Sequence, residues 1–177
     1  MPVSLLVFLL SVGGSSAHLP GSCVASICLD TGISEREFVA RFGTGEINWG
    51  NTHCYALPKL GLYFAGAAED EDPSQTNRRI NWVYLGRRPH AACAHWGSAK
   101  HRPRPLGTRE GLRIGDPERR VYELYASRRT FMKTYFSPRD GSKGIFFGPR
   151  DPDESLLQTE ITIKGGRVIG IAVSDEE

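Results

Sequence analysis

The stretch "TEITIKGGRVIGIAV", residues 159–173, decides the predicted fold because it specifies an antiparallel hairpin near the end of the chain. Two strand-like runs flank Gly165 and Gly166, and a glycine pair of this kind is typical of a tight hairpin turn. A two-residue turn would divide the apolar side chains between both faces. A three-residue loop over 164–166, with Gly166 at positive φ, gathers five of them on one face: Ile161, Ile163, Ile169, Ile171 and Val173. We therefore predict the longer loop, which leaves on the other face Glu160, Thr162, Val168 and Ala172.

A capping box predicts a short helix that begins near residue 34. Ser34 and Glu37 form an S-x-x-E pair, in which each side chain satisfies a backbone N–H of the first turn. Gly43 stands where a helix ends with a residue of positive φ. The predicted apolar face of this helix consists of Phe38, Val39 and Phe42.

The stretch "LRIGDPERRVYELY", residues 112–125, predicts a second helix of similar length. Asp116 is expected to accept hydrogen bonds from first-turn amides, and Pro117 suits the first helical position. Glu118 complements the positive end of the helix dipole. The apolar face of the second helix is predicted to consist of Val121, Leu124 and Tyr125.

The two helices align when Gly32 is placed on Gly115, an offset of 83 residues (115 − 32). Strand-like runs follow each helix, at residues 53–57, 60–65 and 79–85, and again at 130–136, 144–147 and 159–173. The alignment predicts an α+β fold of two tandem modules, each a short helix packed on an antiparallel three- to four-stranded sheet. The modules are residues 18–86 and 111–177, and a basic connector rich in Pro and Gly spans 87–110. The alternative is a coincidence between two ordinary capped helices.

Composition and charge are those of a globular protein that does not bind nucleic acid. The 177 residues are 40% apolar and carry a net charge of +2, from 22 basic and 20 acidic residues spread along the chain. Residues 1–17 are predicted to be a signal peptide, since an apolar run over 4–12 precedes small residues. The alternative is a buried N-terminal strand or helix. No apolar run is long enough to cross a bilayer, so the mature protein is expected in the periplasm or outside the cell.

The four cysteines predict two disulfides, because exported cysteines are usually oxidised. Of the three possible pairings, we favour Cys23 with Cys28 and Cys54 with Cys93. One alternative is a metal site in which cysteine and histidine side chains are the ligands. Another is a lipid on Cys23, although residues 20–22 are a poor lipidation sequence.

The order of these features resembles a known type of exported module. An apolar residue, a glycine, a capping residue, two charged residues and a short helix precede an antiparallel sheet with a "KGGRVIGIAV" hairpin. This pattern, over 27–85 and 111–173, resembles the SmpA/OmlA outer-membrane assembly lipoproteins and the tandem modules of the β-lactamase inhibitory proteins. The chain departs from it at Ala126, where a glycine would normally end the second helix. The resemblance implies that the protein binds other proteins through an exposed sheet face or loops and has no chemistry of its own.

Aromatic side chains supply the candidate binding surface. In the strand at 79–85, alternation places Ile80, Trp82 and Tyr84 on one face. Tyrosine and tryptophan are the usual anchors of protein interfaces. The predicted partner-binding residues are Trp49, Tyr55, Tyr63, Trp82, Tyr84 and Tyr135. The alternative is that this set forms the core face.

Three functions follow from the sequence. The leading one is an exported protein-binding module, for example an inhibitor of a secreted or periplasmic enzyme, that acts as a monomer without cofactor or metal. The second is an envelope assembly or structural factor of the lipoprotein kind. The third is a small metal-dependent hydrolase with a site built from His53, His90 and His95. The chain has no nucleophile-elbow, phosphate-loop or zinc-protease motif, which disfavours enzymatic functions.

Overall fold

Two short α-helices and eleven β-strands make up the described part of the chain. A computed structural model describes residues 21–29, 34–43, 46–47, 53–68, 78–87, 97–100, 105–126, 130–149 and 157–175. The helices are α1, Glu35–Phe42, and α2, Glu118–Tyr125, and a short 3-10 helix spans Pro58–Leu60. The strands of the first half are β1 Cys23–Val24, β2 Ile27–Cys28, β3 Glu46–Ile47, β4 His53–Leu57, β5 Leu62–Ala68, β6 Arg78–Gly86 and β7 Gly97–Ser98. The strands of the second half are β8 Thr130–Ser137, β9 Ser142–Pro149, β10 Leu157–Lys164 and β11 Arg167–Asp175.

A single nine-stranded sheet contains every described strand except β1 and β2, which form a separate two-stranded sheet. Its order is β3-β4-β5-β6-β11-β10-β9-β8, with β7 paired in parallel to β4. The other neighbours are antiparallel, including β6 and β11, which join the two halves of the chain.

The prediction of two tandem helix-plus-sheet modules is wrong. Strands from both halves belong to one continuous sheet, and each helix is only eight residues long, so the described fold is mainly β. The pairing of β6 with β11 gives a physical reason. A separate four-stranded sheet would leave the backbone N–H and C=O groups of its last strand unpaired, whereas this pairing satisfies both last strands at once.

One hydrophobic core lies on one side of this sheet, which we call the inner face. The helices contribute Phe42, Val121 and Tyr125 to it, all nearly or fully buried, and the β1–β2 hairpin adds Val24 and Ile27. The sheet contributes the buried side chains of Phe64, Val83, Leu85, Ile145, Phe147, Ile161, Ile171 and Val173. Both helices and the hairpin therefore cover the same face of the sheet.

The β1–β2 hairpin is held by a disulfide and by contacts with residues much later in the sequence. The Cys23–Cys28 disulfide that the sequence predicts joins paired residues of the two strands. The backbone N–H of Gly21 donates to Glu110 Oε1 at 3.0 Å, and Thr159 Oγ1 donates to the Gly21 carbonyl at 3.1 Å. The hairpin therefore depends on residues far along the chain.

The hairpin of β10 and β11 differs from the prediction in its turn. Gly165 and Gly166 form a two-residue turn with φ of 58° and 70°, and the predicted three-residue loop is wrong. The register then shifts, since Ile163 pairs with Val168 and Thr162 with Gly170. Ile169 is the extra residue of this β-bulge, and it returns Ile171 and Val173 to the inner face. Val168 is therefore buried in the core instead of lying on the predicted opposite face, and Ile169 lies outside the regular alternation.

A second bulge lies near the start of β6. Gly66 pairs with Ile80 and Ala65 with Trp82, so Asn81 is the extra residue. Ile80 is consequently buried in the core at 2% exposure, whereas Trp82 lies on the opposite face. The prediction that Ile80 shares a face with Trp82 and Tyr84 is wrong because simple alternation fails at a bulge.

The helix starts were predicted with unequal success. The capping box of Ser34 and Glu37 is confirmed, and Gly43 follows α1 with a φ of 84°. Asp116 does not cap α2, because its carboxylate accepts the N–H of Arg113 at 2.8 Å and closes the preceding turn. Neither described α-helix has the length and apolar character that crossing a bilayer requires.

Candidate partner-binding face

The side of the nine-stranded sheet opposite the core, called the outer face, holds most of the predicted binding residues that the structure describes. Strand register aligns one row of side chains across this face from β4 to β8. In spatial order the row is Ala56, Tyr63, Tyr84, Ala172, Glu160, Phe146 and Lys133. Aromatic groups therefore stand on both sides of the small residue Ala172.

Two pairs of aromatic rings dominate the outer face. Trp82 and Tyr84 of β6 are stacked, with ring centroids 5.9 Å apart and an interplanar angle of 4°. Tyr135 of β8 and Phe146 of β9 form the second pair, with centroids 5.3 Å apart and an angle of 31°. From β6 to β9 there are three strand spacings, which corresponds to about 14 Å. The two pairs are the walls of what we call the aromatic trough.

Small side chains of β10 and β11 form the floor of the trough. They are Thr162, Gly170, Ala172 and Ser174, and the larger side chains of Gln158 and Glu160 on β10 complete the floor. A methyl group on Gly170 would lie 2.9 Å from the Tyr84 hydroxyl oxygen, and one on Gly144 would collide with the Tyr135 ring. Glycine at these positions therefore lets both tyrosines lie flat on the sheet.

A carboxylate stands between the two tyrosines. The Tyr135 hydroxyl donates a hydrogen bond to Glu160 Oε1. Burial and this bond raise the pKa of Tyr135 to about 12, and burial followed by the charge of Glu160 raises the pKa of Tyr84. Both hydroxyls therefore remain protonated at neutral pH. Among the described residues, no lysine or arginine forms an ion pair with Glu160.

The predicted binding residues divide between the trough and the interior. Three of them line the trough: Trp82, Tyr84 and Tyr135. Tyr135 is 42% exposed, whereas Tyr63, also on the outer face, is only 5% exposed. Tyr55 lies on the inner face and is fully buried, and its hydroxyl donates to the Gly43 carbonyl at 2.8 Å. Trp49 lies outside the described residues.

Two trough residues were absent from the prediction, Phe146 and Glu160. Phe146 alternates with Ile145 and Phe147, so assigning those two to the core would have placed it on the outer face. Glu160 was expected on the outer face but was not given a binding role, because no aromatic neighbours could be assigned to it from local sequence.

Several sequence-based alternatives concern residues that the structure does not describe. The signal peptide, His90, Cys93 and His95 lie outside the described ranges, as does the side chain of His53. Within those ranges no three His, Cys, Asp or Glu side chains are grouped as metal ligands would be. Cys54 is disulfide-bonded, and its predicted partner is Cys93.

Comparisons with protein families, with curated proteins and with solved structures found no significant match to this chain.

Proposed function

We propose that the protein is an exported protein-binding module that binds another protein in the aromatic trough, for example as an inhibitor of a secreted or periplasmic enzyme. The observation that carries the proposal is the placement of two ring pairs on the outer face, on either side of a floor of small residues. Aromatic residues that combine apolar surface with a hydrogen-bonding group are enriched at protein interfaces.

The shape of the trough favours a loop or strand of a protein over a small ligand. Small-molecule sites are usually enclosed, whereas this floor lies on two neighbouring strands of an extended sheet. The backbones of β6 and β9 are about 14 Å apart, and Tyr84 and Tyr135 extend inward from either side over the floor. A partner segment would therefore lie on the rings rather than on the sheet backbone.

Glu160 gives the proposed partner a chemical preference. Its carboxylate accepts a hydrogen bond from Tyr135 on the trough floor and forms no ion pair among the described residues. A lysine or arginine of the partner would gain both the charge of Glu160 and contact with aromatic rings. The proposed partner segment is therefore basic.

The cysteines support export and disfavour a lipid anchor. Cys23 and Cys28 form a disulfide, and Cys54 is also oxidised, as is usual outside the cytosol. The envelope-lipoprotein alternative requires the sulfur of Cys23 for a thioether to lipid. That sulfur is bonded to Cys28.

Capture by the immobilised, oxidised protein tests the proposal. We expect one protein to be enriched from culture supernatant or envelope fractions, and Trp82→Ala and Phe146→Ala to reduce its recovery by about tenfold or more. Ile114→Ala is the matched control, because Ile114 is 42% exposed but precedes α2 rather than lying on the sheet. Equal recovery by all four proteins would contradict the trough as the binding site.

A charge-neutral variant tests the basic partner segment separately. Glu160→Gln should weaken the captured complex by about tenfold, because the partner's cation would lose its counter-charge. Glu123→Gln on the exposed side of α2 is the control for net charge. Unchanged binding by Glu160→Gln would remove the preference for a basic segment while leaving the trough itself in place.

A further inference from the structure

The strand β8 is a long edge of the nine-stranded sheet. It pairs with β9 over all eight of its residues, Thr130–Ser137, without a register shift, and no described strand lies on its other side. Antiparallel strands direct backbone N–H and C=O groups alternately to both sides. Half of these groups in β8 are therefore available to another strand.

This edge lacks most of the features that protect sheet edges. Natural edges are shortened, bulged, interrupted by proline or charged. The opposite edge consists of β3 and β7, each only two residues long, but β8 has eight residues, no bulge, no internal proline and a single charge at Lys133. Of the five exposed large hydrophobic side chains among the described residues, three belong to β8: Phe131, Tyr135 and Phe136.

We propose that β8 pairs antiparallel with β8 of a second copy of this chain. A two-fold axis places either Lys133 opposite Lys133 or Thr134 opposite Thr134, since paired residues must share a face. The first register sets two like charges against each other, which is unfavourable. The second places Met132 opposite Phe136, and Lys133 opposite Tyr135. The β8 sequence is therefore self-complementary in one register.

This pairing would join the two nine-stranded sheets edge to edge. It departs from the monomer expected from sequence, and it does not depend on the proposed function. Tyr135 and Lys133 point to the outer face, so the two aromatic troughs would lie on the same side of the joined sheet. A partner with two copies of its binding segment could then occupy both troughs.

Sedimentation of the oxidised protein over a wide concentration range tests the pairing. We expect the mass to double as concentration rises. Thr134→Lys and Thr134→Glu should each raise the dissociation constant by roughly tenfold, because like charges would face each other at the axis. A mixture of the two variants should recover the dimer as a heterodimer. Thr134 is exposed, so both variants are expected to fold.

Gln158→Lys is the matched control, since Gln158 is exposed on β10 and two strands away from the edge. It should dimerise like the unmodified protein. Circular dichroism of every variant verifies folding. A monomer at all concentrations of the unmodified protein would overturn the proposal, including the case in which β8 pairs with a strand of a different protein. A dimer that neither Thr134 variant weakens, or a folded mixture that stays monomeric, would also overturn it.

Discussion

The outer face of the sheet has a closed region over β4 and β5 and an open region over β8 to β10. In the closed region Cys54, Tyr63 and Ala65 are at most 5% exposed, whereas Phe131 and Tyr135 in the open region are 49% and 42% exposed. Both sets point away from the core. Strand register therefore determines which face a residue occupies, while its exposure depends on what else lies above the sheet.

Deletion of Ala172 should have the largest effect, because the comparison depends on the register of β11. With one residue removed after the bulge, either Ile171 or Val173 must turn to the outer face, whether or not the bulge persists. We expect the cooperative unfolding transition in urea to be lost. Deletion of Ile169 is the control: it removes only the extra residue and leaves every pair of β10 and β11 unchanged, so it should retain the transition. A folded Ala172 deletion variant would show that the register of β11 does not determine the fold.

The disulfide of Cys54 should stabilise the closed region selectively. Replacing Cys54 and its predicted partner Cys93 by alanine should lower the free energy of unfolding by about 4 kcal/mol, since a long loop would be released. Hydrogen exchange should quicken in β4 and β5 more than in β8 and β9. Equal acceleration in both regions would show that the disulfide does not stabilise the closed region selectively.

Matched tyrosine truncations compare the two regions directly. Tyr63→Ala should cost about 3 kcal/mol, because a nearly buried side chain leaves a cavity. Tyr135→Ala makes the same chemical change at a 42% exposed position and should cost about 1 kcal/mol or less. Urea denaturation measures both. Equal costs would mean that exposure does not distinguish the two regions.

The smallest expected effect is a change in the pKa of Tyr135, in the open region. The pKa of Tyr135, about 12, should move toward its ordinary value of 10 in Glu160→Gln, because the acceptor charge is removed while burial remains. Tyrosinate absorbance follows the change, with Glu123→Gln as the control. Since the unfolded chain ionises first, the contribution of Tyr135 to stability is complete below pH 10 and is lost as pH rises toward 12. An unchanged pKa of Tyr135 in Glu160→Gln would show that the Glu160 carboxylate does not raise it.

Local signals predicted the local structure well. The capping box at Ser34 and the pairing of Cys23 with Cys28 both follow from residues close in sequence. The two bulges could not be predicted from alternation, because an extra residue at Asn81 or Ile169 is favoured only once neighbouring strands fix the register. For the same reason the pairing of β6 with β11, which makes one sheet of two predicted ones, has no local sequence signal.

The trough was predicted in part. Alternation found Trp82 and Tyr84, because they are two apart in one strand. It also selected Tyr55, which is equally aromatic but lies on the inner face, since strand-by-strand patterns do not say which faces meet. Phe146 and Glu160 come together with Tyr135 only through the register of three strands.

The β1–β2 hairpin has a consequence for the order of folding. Gly21 is hydrogen-bonded to Thr159, which is 138 residues further along the chain, and Val24 belongs to the same core as β11. Such distant contacts form slowly, because most of the intervening chain must first be brought together. During synthesis, the early hairpin cannot complete its docking until the final strands have emerged from the ribosome. The core therefore closes only when nearly the whole chain has been released.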